Sequence, residues 1–322
     1  QLLHSQKIDV IAKALENPFY TDEVAKPLDP SSFVQVIDVP VFMAGQMQDE
    51  QTGPHFPILF DKFVNSPVRR FTMTNGIHMD GFSPQVLVEW FNFLALYVSE
   101  ETPAISQDLQ DLVPLFMEDV FGAVVDMPEN RFADYTNFFE ALGDYESEKP
   151  LRVIFESGAD PDAIPGVPDG TFDAFFDAWP IPETVATRFY FQPDGSMSPD
   201  LPPAQGGYSS FEHDPEAGDR LIVSVSVEKL HPNWTYEQPN EGKAVSFITP
   251  ALEEDTVLVG HASVDLYLQS TADDADLEAC ITEVRPDGDE SYVQCGWLRA
   301  SHRALREDAT ELRPVKTHRE ED

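Results

Sequence analysis

Two cysteines among 322 residues are too few for a disulfide scaffold or a four-thiolate metal site. Basic residues are also scarce, with 20 Lys and Arg against 58 Asp and Glu and a formal net charge of −38. Nucleic acid and anionic membrane would both be repelled, so neither is an expected partner. The acids are spread along the chain, which describes a solvated, self-repelling surface of the kind found on salt-tolerant or secreted proteins. No run approaches the roughly 18 apolar residues of a membrane-spanning helix. The opening QLLHSQKIDV lacks the charged-then-apolar layout of a signal peptide. A soluble chain is expected, with secreted and cytoplasmic locations both open. No His, Cys and Asp cluster has ligand spacing, so neither a metal nor an organic cofactor is implied. The segment DDADLE has the acids of a calcium loop but not its central Gly and terminal Glu.

The chain is long enough for two domains, and with 42% hydrophobic and 11% aromatic residues it has ample material to bury. A short amphipathic helix up to about Asn17 leads into NPFYTDEVAKPLDPSS, a connector rich in Pro and Asp. Helical and strand patterns then alternate. VPVFMAG reads as a strand, PHFPILFDKFV as a short helix, VRRFTMT as a second strand, and SPQVLVEWFNFLALYV as a long helix capped by Ser83 with Pro84 in its first turn. That βαβα order implies parallel strands with helices packed on the sheet. Two amphipathic pieces follow, VPLFMEDVF and YTNFFEALGDY. Near residue 148 the pattern changes to short strands divided by Pro, Gly and Asp: LRVIFESG, TRFYFQPDG, RLIVSVSVEK, AVSFITP, VLVGHASVDLYLQST and LEACITEVRPDGDESYVQCGWLRA. These predict a β-sandwich or jelly roll. The fold class is therefore α/β followed by all-β, with units over residues 1–30 (lead-in), 31–148 and 149–322.

In an open α/β sheet, functional groups gather where the carboxyl ends of strands open into one crevice. Asp49 follows the strand Val39 to Ala44, and His78, in TNGIHMDG, follows the strand Val68 to Thr74. An Asp so placed can orient a His that acts as general base toward a serine hydroxyl, and the two are expected within about 2.6–3.2 Å of each other. Each residue also has an ordinary reading, the Asp as turn former or helix cap and the His as a loop residue. His55, after Pro54, is a weaker rival for the base. Glu50 and Asp80 read as solvated or capping neighbours.

The segments VPVFMAGQMQD, TNGIHMDG and EWFNFLALYV resemble, in order, the acid strand and loop, the histidine segment and the following helix of the X-Pro dipeptidyl-peptidase and cocaine-esterase (CocE/NonD) family of serine hydrolases. FDAWPIPETVATRFYFQPDGSMS resembles the entry to that family's C-terminal β-domain. VLVGHASVDLYLQSTADDADLEACITEVRPDGDESYVQCGWLRASHRA resembles the domain's long signature. The resemblance runs from about Asn17 to the end. It implies the C-terminal part of an α/β-hydrolase domain plus a jelly-roll-like β-sandwich, both incomplete, with Asp49 as triad acid and His78 as base. Met47 and Gln48 replace the family's aromatic pair before the acid, and Asn75, Gly76 and Ile77 replace its Pro-Trp-Ser before the His, so different pocket walls are expected. The nucleophilic Ser is absent from this chain. GFSPQ at Ser83 and GYSSF at Ser209 lack the last Gly of G-x-S-x-G and a strand-to-helix elbow. In the family the serine elbow, an oxyanion tyrosine and a helical cap precede the part seen here. The chain is thus expected to be an internal portion of a longer hydrolase whose serine lies outside it, with residues 1 to about 16 as the tail of the cap and THREED falling short of the closing strands.

The resemblance implies a small acyl ester or amide, or a short X-Pro peptide, as substrate. The chain alone is expected to be inactive, and self-association stays open. A second reading is a non-catalytic binding or structural module; a third, a carbohydrate-binding jelly roll, rests on architecture alone. In CITEVRPDGDESYVQC, a two-residue type I′ turn at Asp287-Gly288 would set Cys280 opposite Cys295 as a hydrogen-bonded pair, with Cα atoms about 5.5 Å apart. At that distance a disulfide and two buried thiols are both open. A bridge would favour an exported parent.

Overall fold

The computed structural model describes residues 9–156, 166–214 and 235–322. The strand read at RLIVSVSVEK, residues 220–229, lies outside them.

Strands β1 (Val41–Gln46) and β2 (Arg69–Thr74) run parallel in full register, from Val41 opposite Arg69 to Gln46 opposite Thr74. β3 (Leu151–Phe155) continues the parallel sheet beside β2, and β4 (Phe172–Phe176) closes it antiparallel, giving the order β1-β2-β3-β4. LRVIFESG, read as the first strand of the second unit, thus contributes to this sheet, which runs on past residue 148. Its apolar alternation suits either neighbour, and only the pairing with β2 decides.

A parallel sheet is covered on both faces, so its strands bury successive residues and lose the simple alternation. In β2, Phe71 and Met73 join one face while Thr72 and Thr74 enter the other, and all four are buried. The first face packs Phe71, Met73, Leu151 and Val153 against Val34, Phe60, Phe63, Trp179 and Ile181. The opposite face meets the helix Pro84–Leu94 through Phe42 and Phe93, whose ring centres lie 5.8 Å apart. Ser83 caps that helix by accepting the Val86 N–H at 3.3 Å, with Pro84 opening its first turn. Ala95–Ser99 extends it as one π turn. PHFPILFDKFV forms only a 3-10 turn, Phe56–Leu59. The piece VPLFMEDVF is the second half of the helix Gln107–Phe121, capped by Ser106, and YTNFFEALGDY supplies the cap Asn137 and most of the helix Phe138–Ser147. Glu89 is buried between Arg131 and Arg152, which satisfies a charge that could not stay there alone.

Beyond β4 the strands among the described residues are fewer than read. Tyr190–Phe191 (β5) pairs with Met197–Ser198 (β6), and Asp276–Val284 (β7) pairs with Glu290–Arg299 (β8). AVSFITP makes a single bridge, Ile248 with Ser196, and residues 257–271, read as a long strand, form none among the described residues. Alternation alone does not make a strand, because the backbone needs a neighbour to bond.

The β7–β8 hairpin departs from the expected turn. Gly288 N–H donates to Arg285 O at 2.9 Å and Arg285 N–H to Asp289 O at 2.8 Å, which closes a three-residue loop, and Gly288 takes the left-handed conformation, φ +93°, that glycine tolerates. The longer loop would shift the register by one residue. A bulge at Val293 shifts it back, since Thr282 faces Tyr292 but Ile281 faces Gln294. Cys280 therefore does face Cys295. The two are joined in a disulfide with Cα atoms 4.1 Å apart, nearer than the 5.5 Å expected, which decides between bridge and free thiols.

Candidate active site

Because β1 and β2 are parallel and in register, Gln46 and Thr74 end side by side, and the loops that follow leave the same sheet edge. Met47 N–H donates to Thr74 O at 2.8 Å and Gln48 N–H to Gly76 O at 3.0 Å, so the two loops stay zipped past the strands. Asp49 and His78 come next. Asp49 Oδ2 lies 2.8 Å from His78 Nδ1. Asp49 Oδ1 accepts the N–H groups of Gln51 and Thr52, each at 2.7 Å.

Asp49 is 7% exposed. Burial works against its charge, but the bonds from Thr52, His78 and Gln51 outweigh it, and its carboxyl titrates below the usual aspartate range. The carboxylate is therefore ionised near neutrality and can only accept. It follows that Nδ1 of His78 carries a hydrogen toward the carboxylate, which leaves Nε2 as the nitrogen that can exchange a proton. The His78 side chain is 39% exposed, so that nitrogen has a route to a reacting group.

The histidine loop is held by two further carboxylates, one from each loop. Glu50 Oε2 accepts the His78 backbone N–H at 3.1 Å. Asp80 Oδ2 accepts the Ile77 N–H at 3.2 Å, capping the 3-10 turn His78–Phe82. Of the two readings for Asp80, capping holds and solvation does not: it is 2% exposed, and burial pushes its pKa up to about 8, with Glu50 adding to the rise. The reason is Gly76, where a Cβ would meet Asp80 Oδ2 at 1.7 Å, so the carboxyl group occupies the space a side chain would take. His55 stacks on His261 at 5.7 Å between ring centres, and among the described residues it is not a hydrogen-bond partner of Asp49. Ser83 is buried in its cap, and Ser209 is exposed in an irregular segment.

One pair of contacts had no signal in the sequence. Gln48 Nε2 donates to Val293 O at 2.5 Å, and Gln294 Nε2 donates to Met47 O. Both reach from the acid loop to the bulge of β8, across some 245 residues. Among the described residues, the one cluster spaced like metal ligands is Glu278 with Cys280 and Cys295, and the disulfide consumes both thiolates.

Residues 146–319, more than half of the chain, match the family described as the X-Pro dipeptidyl-peptidase C-terminal non-catalytic domain. The chain is similar to two proteins named "Putative serine esterase", Mb1866c of Mycobacterium bovis and MT1883 of Mycobacterium tuberculosis. Each is 27% identical over 149 residues, 44% of this chain and 23% of the relative. The crystal structure of SACOL2612, a CocE/NonD family hydrolase from Staphylococcus aureus, overlays on 97% of the chain with a TM-score of 0.54 and 16% identity. The overlay takes in 45% of that hydrolase, so the chain spans less than half the length of the proteins it matches.

Proposed function

Since the chain belongs to the X-Pro dipeptidyl-peptidase C-terminal domain family, we propose that it carries two of the three triad residues of a serine hydrolase, Asp49 as acid and His78 as base. The observation that supports this most directly is the 2.8 Å contact between Asp49 Oδ2 and His78 Nδ1, beside an Oδ1 already filled by two backbone N–H groups. An ionised, fixed Asp49 holds the imidazole in one tautomer and favours the imidazolium. Nε2 takes a proton from a serine hydroxyl as that oxygen attacks an ester or amide carbonyl, and returns it to the leaving group. No G-x-S-x-G occurs in the 322 residues, so in this reading the serine comes from a part of the hydrolase outside them.

The family's label of non-catalytic applies to residues 146–319, which include neither Asp49 nor His78. In the proposed division, the C-terminal part of the α/β-hydrolase unit begins at residue 31 and takes in β3 and β4, past the boundary expected at 148; the β-sandwich follows β4, and residues 1–30 are the end of a cap and a connector. The Cys280–Cys295 bridge supports an oxidising, exported setting. Small acyl esters, amides or short X-Pro peptides are the substrate class.

The test uses the full-length hydrolase and a short-chain aryl ester. His78→Ala should lower kcat by about three orders of magnitude or more with KM little changed, and Asp49→Asn by a similar factor. Near-normal turnover of His78→Ala rejects the base. The 322-residue chain alone should show no saturable activity sensitive to a serine-directed phosphonate. If it does, it holds a nucleophile of its own.

A further inference from the structure

We propose that Gln294, in the part of the chain matched as non-catalytic, is a positioning residue for the acid loop, a proposal that rests on the reading of Asp49 and His78 above. Gln294 Nε2 donates to the Met47 carbonyl, two residues before Asp49. Its other amide atom fixes which way it points. Oε1 accepts the Tyr292 hydroxyl and the Cys295 backbone N–H, both at 2.8 Å, so only the NH2 end can face the loop. Burial raises the Tyr292 phenol, which keeps its proton available for that bond. Cys295 is in turn tied to Cys280 on the neighbouring strand.

The bulge makes this arrangement possible. It is the extra residue Val293 that turns its carbonyl to Gln48 Nε2 while the next side chain, Gln294, reaches Met47. The acid loop is thus gripped twice in two successive residues, donating once and accepting once. On its other side the same two residues are bonded to Thr74, at the end of β2, and to Gly76 of the histidine loop. Met47 and Gln48 therefore lie between β8 and the base, and a displacement of β8 carries directly to the Asp49 carboxylate. Hydrogen-bond geometry between Asp49 and His78 is steep in distance, and misplacement of about 1 Å can cost a factor of about 100 in rate.

The experiment compares wild type, Gln294→Leu, Tyr292→Phe and Thr282→Val in the full-length hydrolase. Thr282→Val removes a hairpin contact, the 2.6 Å bond to Glu290, that does not touch the loop. Two quantities are read: kcat and KM on the aryl ester, and the far-downfield proton resonance of His78 Nδ1–H, assigned by its loss in His78→Ala. Gln294→Leu should lower kcat about 10- to 100-fold with KM within about twofold and shift or broaden that resonance. Tyr292→Phe should do both to a smaller degree, about 3- to 10-fold in kcat, and Thr282→Val neither. If Gln294→Leu does not fold, Tyr292→Phe decides. An unmoved resonance with unchanged kcat overturns the proposal, as does a loss in Thr282→Val equal to that in Gln294→Leu. Should His78→Ala keep normal turnover, the triad reading fails by itself. The resonance then still reads whether Gln294 places Asp49 against His78.

Discussion

The sheet of β1 to β4 with its helices and the described residues of 185–214 and 235–268 both carry large apolar side chains and differ in what those side chains meet. In the first, Met117, Phe121 and Phe132 have no measurable exposure and Met73 is 2% exposed. In the second, Leu201, Tyr208, Leu258 and Tyr267 are each at least 74% exposed. A helix satisfies its backbone internally and needs only a surface to lie on, whereas a strand must also find a neighbour for its N–H and C=O groups. Beyond Leu268, order accordingly returns where a partner is at hand: in the β7–β8 hairpin, paired to itself, and where β8 bonds to the acid loop. Other ties across the seam are Arg313 to Asp61 at 2.8 Å and Arg319 to Asp22 at 2.6 Å.

The sharpest way to break this contrast is to delete apolar atoms on each side of it. Phe121→Ala should cost about 3–5 kcal/mol of unfolding free energy, because nothing nearby is free to fill the space. Leu258→Ser should stay within about 0.5 kcal/mol, since its side chain already meets water. Urea melts of the two variants check both, and a Leu258→Ser loss approaching that of Phe121→Ala would erase the distinction.

Next in size is the disulfide. A closed loop of about 15 residues constrains the unfolded chain by about 3 kcal/mol, and Cys280→Ser with Cys295→Ser should remove most of that. Hydrogen exchange should register the loss first in β7 and β8, with β1 to β3 little affected.

The smaller effects are in pH, and they differ in sign between the sheet and the seam. Asp80, buried in the sheet-edge loop, titrates at about 8 when folded against an ordinary value of 3.8. Between those values the unfolded chain has lost a proton the folded chain retains, so stability is full below about 4 and falls as pH rises toward 8. Asp80→Asn should flatten that fall and gain about 1–3 kcal/mol at pH 8 relative to wild type. His261 stands edge-on to Trp179 at 5.8 Å. Burial lowers its pKa from 6.5 to about 4, with His55 and Arg313 adding to the shift. Its contribution is complete above about 6.5 and is lost as pH falls toward 4. His261→Phe should therefore reduce the acid-side loss by about 1 kcal/mol at pH 5. Thermal melts from pH 4 to 9 separate the two, and parallel curves for wild type and Asp80→Asn would remove the sheet-side half of the contrast.

Much of the first region was legible because its signals are local. Ser83 with Pro84 announces a helix start whatever surrounds it, and the order of strands and helices requires parallel pairing, which brings the ends of β1 and β2 to one edge. From there the meeting of Asp49 and His78 needs only two loops of similar length. The hairpin was legible for a different reason. Both the turn and the ladder departed by one residue from the simplest count, and the bulge at Val293 cancelled the longer loop.

The sequence by itself determined the helix cap at Ser83, the parallel order, the acid and the histidine on one edge, and the resemblance that led to the family. These depend on spacings of a few residues, or on motifs whose order alone is informative. Tertiary structure decided that Leu151–Phe155 joins β2, that residues 257–271 pair with no described neighbour, that Asp80 is buried against Gly76, and that Gln294 grips Met47. Each of these is a contact between segments, or the lack of one. No periodicity along the chain encodes which of several apolar or polar segments arrives next to another, because that is set by the packing of the whole.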